Sequence, residues 1–396
     1  MRVAVVGGGA VGSACALFLR RLDARIDVTV IERDPTLRLA SSARSAASIR
    51  QQFSNALNVR LSQFGLQVLR AADQWLAVDG EHVDLGFVES GYLFVATTPA
   101  GAQVLRDNHA VQRAADAPVV LLDRDALARR FPWLRVDDVV LSSLGEHGEG
   151  WFDGEAFARA LARKARALGA RWVAQRVVGF ERDGAAARDP STLRAAVVAD
   201  GTRIEADRFV LATGAWSRAV GALAGVDVPV RARRRTVFAF GCATPLPRTP
   251  LVIDPAGVWF RSEGAGFIGG WTPGPHDADP DDLPLDEPDL AQFDEKLWPA
   301  LAHRVPAFEA LRRTGAWDGY YEVHPLDHNA LVGPHPQCAN LLLACGFSGH
   351  GLQHAAGIGR GIAEWVVHGG YLSLDLSPLA PARVVDGRPF VEQAVI

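Results

Sequence analysis

Cysteine is scarce: Cys15, Cys242, Cys338 and Cys345 are the only four in 396 residues, far apart and without a CxxC pair. That usage signals neither a zinc site nor a disulfide framework. A basic surplus is missing too, since 41 Lys and Arg stand against 45 Asp and Glu for a net charge of −4. The balance argues against a nucleic-acid backbone or an anionic membrane as principal partner. No apolar run approaches the roughly eighteen residues that a membrane span needs, and no solenoid-type repeat is present. Only Met1 and Arg2 precede an apolar strand and a Gly-rich turn, which leaves no room for a signal peptide, so cytoplasm is the expected compartment. What is present is a globular composition, 48% hydrophobic and 22% charged, at a length that suits two domains.

The first segment reads strand, turn, helix, strand: an apolar run from Arg2 to Val6, a small-residue helix from Ala10 to Arg21, and an alternating strand from Asp27 to Ile31. That is a βαβ unit. The same texture returns with a helix from Phe157 to Leu168, a strand from Arg171 to Phe180, a hairpin turning at Asp200-Gly201, and a buried strand from Arg208 to Ala212. It returns once more at the end, where Asn340 to Ala344 predicts a strand and Leu352 to Val367 a helix. The intervening stretches hold short strands and a Pro/Asp-rich loop from Thr272 to Pro288. The pattern predicts a discontinuous nucleotide-type domain over 1–85, 151–225 and 315–396, with a second, sheet-containing domain over 86–150 and 226–314. The basic run Arg231 to Arg235 reads as a solvated face or strand edge rather than a binding patch.

Gly7-Gly8-Gly9-Ala10-Val11-Gly12 satisfies GxGxxG between a strand and a helix. That context sets backbone N–H groups and the positive helix end against a pyrophosphate. Glu32 follows Gly12 by 20 residues, where a carboxylate accepts hydrogen bonds from ribose hydroxyls. The signature fits either dinucleotide. A nicotinamide enzyme would continue with a second βαβ half, whereas this chain passes through the Ser-, Ala- and Arg-rich stretch Arg38 to Phe53, which favours FAD. Ser41, Ser42, Ser45, Ser48 and Arg44 suit a segment that hugs the rest of a long dinucleotide.

With these motifs the sequence resembles the D-amino-acid oxidase-like flavoproteins, which include glycine oxidase, sarcosine oxidase, and dimethylglycine and sarcosine dehydrogenases. The resemblance rests on VVGGGAVGSACALFL with VIERD, SSARSAASIRQQFS, RFVLATGAWS, GYYEVHPLDHNALVG and ACGFSGHGLQHAAGIGRGIAEWV, in that order. SSARSAASIRQQFS looks most like the branch called FAD-dependent oxidoreductase domain-containing proteins. The resemblance implies a mixed α/β fold, with a GR2-type Rossmann-like FAD domain and an antiparallel-sheet substrate domain. It assigns cofactor contacts to Gly7, Gly9, Ala10, Val11, Gly12, Glu32, Arg33, Ser41, Ser42, Arg44, Ser45 and Ala46. Further along, it assigns Val177, Thr213, Gly214 and Trp216, then Gly346, Ser348, Gly349, His350, Gly351, Leu352 and Gln353.

For the substrate, the resemblance points to Arg50 as a bidentate carboxylate ligand, with Gln353 where related proteins have a Lys, and His350 and Tyr320 nearby. Trp259, Phe260, Trp271, Tyr320 and Tyr321 are candidate pocket walls. Positions that carry a covalent flavin link elsewhere in the family hold Ser45 and Gly319 or Tyr320 here, which implies non-covalent FAD. Ile268 stands at the position of an oxygen-activating Lys, so O2 and a quinone or electron-transfer partner both remain open as acceptor. His324, His328 and His335 flank Asp327 without repeating ligand spacing, and no metal is expected. The implied activity is oxidation of the C–N bond of a small or N-methylated amino acid, giving an imine that water hydrolyses. A flavin-bound assembly factor, a subunit of a hetero-oligomeric dehydrogenase, and an NAD(P)-dependent dehydrogenase are the competing readings.

Overall fold

The computed structural model describes residues 1–182 and 192–394. Strands Arg2–Val6 and Asp27–Ile31 pair in parallel around helix Ala10–Leu22, with Ala4 opposite Thr29. Val3 to Val6 are buried on both faces, as an interior parallel strand requires. The full sheet runs Leu331–His335, Cys338–Cys345, Arg208–Leu211, Arg2–Val6, Asp27–Ile31, Arg171–Val173. It is parallel except at the Leu331–His335 edge. Helix Ala10–Leu22 packs against helices Gly154–Ala167 and Gly351–His368 on one face, so the beginning, middle and end of the chain share one core.

The single strand predicted from Arg171 to Phe180 is two. Arg171–Val173 ends in the parallel sheet, and Val177–Arg182 joins Leu193–Val198 and Arg203–Glu205 in an antiparallel three-stranded sheet. The break falls where the Val173 carbonyl accepts from both Glu32 N–H and Gln175 N–H, a turn that continuous pairing would forbid.

The remaining sheet has eight strands: Arg312–Val323, Arg231–Gly241, Gly266–Trp271, Val258–Glu263, Leu251–Asp254, Tyr92–Ala96, Leu141–Gly145, Val119–Leu122. Its pairs are antiparallel apart from Leu251–Asp254 with Tyr92–Ala96. Strand Arg312–Val323 runs past residue 314 within this sheet and pairs along its length with Arg231–Gly241. Phe238, Phe240, Phe267 and Phe308 fill the core behind it. Phe260, expected as a pocket wall, belongs to that core, edge-on to Phe308 at 5.2 Å between centroids. Truncating a buried Phe of this kind costs about 3–5 kcal/mol.

Arg231 to Arg235, read as a solvated face or strand edge, is the first half of a strand, and the Pro/Asp-rich loop lies against it, Asp282 N–H donating to the Ala232 carbonyl at 2.9 Å. No helix among the described residues is long and apolar enough to cross a membrane.

Candidate active site

A cavity of about 520 Å³ lies between the parallel sheet and the eight-stranded sheet. One end is built from backbone and small side chains. Gly7, Gly9, Ala10 and Val11 line it at the start of helix Ala10–Leu22, whose N-cap, Gly9, supplies no side-chain hydrogen bond. The first-turn N–H groups are therefore free to meet an anion. Gly12 is not in the lining. It packs against the Gly7 carbonyl so closely that a Cβ would stand 1.9 Å from that oxygen, and it sets the path of the turn.

Glu32 reaches the cavity from the tip of strand Asp27–Ile31. Its carboxylate accepts from Gly8 N–H at 2.7 Å and Asp34 N–H at 2.8 Å. Ser41, Ser42, Arg44, Ser45 and Ala46 form the adjoining wall. Ser41 Oγ donates to the Tyr320 carbonyl and Arg44 donates to the Asp318 carbonyl, which ties this wall to the eight-stranded sheet. Ser42 Oγ is buried with no partner among the described residues. Val177, Thr213 and Gly214 line the opposite side. Arg33, also in the lining, lies over the Trp216 ring at 3.9 Å, and Trp216 stands edge-on to Tyr320 at 5.6 Å.

The other end is built from side chains. Arg235, Thr236 and Val237 come from one strand, Tyr320, Tyr321 and Glu322 from its neighbour, and Trp259 and Trp271 from the strands beyond. Gly349 enters from the turn before helix Gly351–His368, and Gly351, Leu352 and Gln353 from its first turn. Gly349 adopts φ +95°, and a Cβ there would come within 2.5 Å of the Tyr321 ring, so the aromatic wall and the glycine turn fit only without a side chain. Glu322 accepts from Gly346 N–H at 2.8 Å, and burial pushes its carboxyl up to about 8. Burial thus shifts this cavity-lining carboxyl toward its neutral form.

Two residues expected at the substrate stand elsewhere. The Arg50 guanidinium is buried outside the cavity lining, over the Phe53 ring at 3.9 Å, and it donates to the carbonyls of Gln52 and Ala394. Two backbone acceptors and an aromatic face satisfy the cation away from the cavity. Arg50 is linked to the site through its N–H, which donates to Gln353 Oε1 at 2.9 Å, and through its charge, which acts on Tyr321 in the wall. His350 is packed between Phe53 and His354, outside the lining, and burial holds its pKa well below the usual range. A neutral, enclosed imidazole there is a poor proton carrier to the cavity. Gly346 and Ser348 also lie behind the surface, Ser348 Oγ accepting from His324 N–H at 3.0 Å. His324 Nδ1 is 2.8 Å from Asp327, which also holds Arg383.

Arg235 and Glu322 were not singled out from the sequence. The signal for Arg235 was available in the facing composition, a basic strand and an acidic loop in one chain.

The sequence profile described as FAD dependent oxidoreductase matches residues 2–365. The chain belongs to that family. FAD-dependent oxidoreductase domain-containing protein 1 of Xenopus laevis is 38% identical over 433 aligned residues, which span all of this chain and 84% of that protein. Dimethylglycine dehydrogenase of Rattus norvegicus is 27% identical over 96% of this chain and 44% of its own length. Among solved structures, the L-proline dehydrogenase from P. horikoshii superposes with a TM-score of 0.84 at 24% identity, covering 98% of both chains. The glycine oxidase from Geobacillus kaustophilus gives 0.78 at 24% identity, over 96% of this chain and 99% of that one. These two likenesses bear on the fold.

This FAD-dependent oxidoreductase carries a site that fits its cofactor. The uncapped helix start suits a pyrophosphate, the Glu32 carboxylate suits ribose hydroxyls, and the unpartnered Ser42 Oγ is a hydrogen-bonding group in want of a ligand.

Proposed function

We propose that the enzyme oxidises the C–N bond of a small amino acid or an N-methylated or secondary amino acid. The imine so formed is hydrolysed by water. Bound FAD supplies the acceptor for a hydride from the carbon beside the nitrogen. The observation that carries this reading is the composition of the side-chain end of the cavity: Trp259, Trp271, Tyr320 and Tyr321 around one cation, Arg235. Apolar walls with few polar anchors are the character of a small-molecule site. They orient the reacting C–H bond, exclude water and favour the neutral amine that hydride loss needs. No dedicated base is required. FAD is held without a covalent bond in this reading, which is supported by the absence of Cys and His from the cavity lining among the described residues.

Anaerobic addition of D-amino acids, sarcosine, dimethylglycine, proline and opines to the yellow holoenzyme tests the proposal. Bleaching of the flavin absorbance by at least one member is expected. Failure of the whole panel would move the reading to a flavin-bound assembly factor, or to a subunit that needs a partner chain.

A further inference from the structure

Arg231, Arg233 and Arg235 alternate along strand Arg231–Gly241, so they share one face. The 272–288 loop answers them with carboxylates. Asp281 lies 3.0 Å from Arg231 and 3.1 Å from Arg233, and Asp279 meets Arg235 through two parallel hydrogen bonds of 2.8 and 2.9 Å. Of these three arginines only Arg235 lines the large cavity. Its Nε is buried with no partner among the described residues, and the Tyr321 ring lies 5.6 Å from its guanidinium carbon. A second hollow of about 40 Å³, bounded by Arg235, Trp271, Asp279 and Leu283, separates the loop from the strand. Asp279 also has a second cation at hand, Arg233 Nε at 3.8 Å.

We propose that Arg235 is the receptor for the substrate carboxylate, and that Asp279 occupies this receptor until substrate arrives and then passes to Arg233. The proposal rests on the amino-acid reading above and names the group that enforces it. The exchange replaces one bidentate carboxylate by another, so the two hydrogen bonds to Arg235 are conserved. Asp279 is not left as an unpaired buried charge, because Arg233 is already within reach. A plain amine has no carboxylate with which to displace Asp279, so the loop discriminates against it by withholding the site.

The test uses the holoenzyme, with acetate as the carboxylate probe, acetamide as its neutral isostere, and the flavin absorption difference spectrum as readout. Asp279→Asn frees Arg235, and acetate is expected to bind at least about tenfold more tightly than to the parent, as when a competing closed state is removed. Arg235→Gln is expected to abolish saturable acetate binding with FAD still bound. Arg235→Lys keeps the charge without the fork, and serves if the Gln variant does not fold. Its acetate affinity should fall about tenfold. Acetamide should bind alike in all proteins. Equal acetate affinity in the parent and Asp279→Asn overturns the proposal, as does undiminished acetate binding in Arg235→Gln or Arg235→Lys. The amino-acid panel reads turnover independently. A silent panel beside the expected acetate shifts rejects the proposed reaction and keeps the receptor, whereas bleaching beside unchanged acetate binding does the reverse.

Discussion

The two ends of the cavity are made differently. Around Gly7, Gly9 and the start of helix Ala10–Leu22 the surface is main chain and small side chains, with Glu32 and Arg33 as its principal charged groups. Around Arg235 and Tyr321 it is long side chains from adjacent strands, one of them held by a loop carboxylate. The first kind of surface depends on the path of the chain and tolerates little change where the backbone turns. The second depends on charge pairing and ring packing, which substitution can retune without altering the path. Cofactor retention and substrate choice should therefore be separable by mutation.

The largest effect is expected at the backbone end. Gly12→Val would drive a side chain into the Gly7 carbonyl, at a cost of about 3 kcal/mol or more. The protein should emerge from gel filtration without flavin absorbance. A yellow Gly12→Val protein would show that the turn has room to shift, and the contrast between the ends would weaken.

Arg50→Met sharpens the comparison from behind the side-chain end. Removing the guanidinium leaves the Gln52 and Ala394 carbonyls without their donor and strips a cation from the Phe53 face, for a loss of about 2–4 kcal/mol in denaturant unfolding. Carboxylate affinity should stay as in the parent. Weakened acetate binding with unchanged stability would return Arg50 to the substrate site.

Glu149 gives a pH test in the layer beneath. It is buried, accepts from Gln51 N–H and Gln52 Nε2, and burial raises its pKa to about 7 from the usual 4.5. A folded-state pKa above the unfolded one means that stability is fully present below about pH 4.5 and is lost as pH rises through 7. Glu149→Gln removes that titration. Relative to the parent, the variant should gain up to about 3 kcal/mol between pH 5 and pH 8, read from denaturant midpoints. A constant difference across that range would show that the carboxylate is not neutral when buried.

The smallest effect concerns the electron acceptor. Ile268 is buried among Tyr92, Val237, Leu251 and Trp259, and the cation opposite it in the strand register, Arg261, is engaged by Glu263 and by the carbonyls of Ser262 and Ala46 rather than offered to charge developing on oxygen. Stopped-flow mixing of reduced enzyme with oxygenated buffer should give slower reoxidation than a phenazine does. Ile268→Lys should raise the oxygen rate by up to about tenfold, equivalent to about 1.4 kcal/mol. Fast reoxidation of the parent would assign the task to another group. Arg261 is the nearest alternative in kind, as its Nη2 donates to the carbonyl of Ala46 in the cavity wall.

The backbone end was legible because its parts are contiguous. A strand, three glycines and a helix start occupy the first dozen residues, and the carboxylate at Glu32 follows at a fixed spacing. The side-chain end depends on partners that sequence order does not bring together. Arg235 and Asp279 are 44 residues apart, and nothing local to the basic run tells whether water or a loop will face it. The surroundings of Arg50 were hidden for the same reason, since one acceptor of its guanidinium is Ala394, 344 residues away. The break in the predicted 171–180 strand followed from a hydrogen bond to Glu32, again from a distant segment. Phe260 could be offered only as a candidate wall, and it proved to be core, because β-alternation alone does not say which face of a two-sided sheet meets the cavity.

The strand order has a consequence for how the protein is made. Arg2–Val6, the earliest of these strands in chain order, is flanked by Asp27–Ile31 and by Arg208–Leu211, which in turn needs Cys338–Cys345 beside it. Helix Ala10–Leu22 likewise waits for helix Gly351–His368 to cover it. The glycine turn thus stays without its completed surroundings until the segment that follows residue 338 is made, and pairings this remote form slowly. Flavin capture therefore has to wait for the segment that follows residue 338, and a nascent chain stalled before it should remain colourless in FAD.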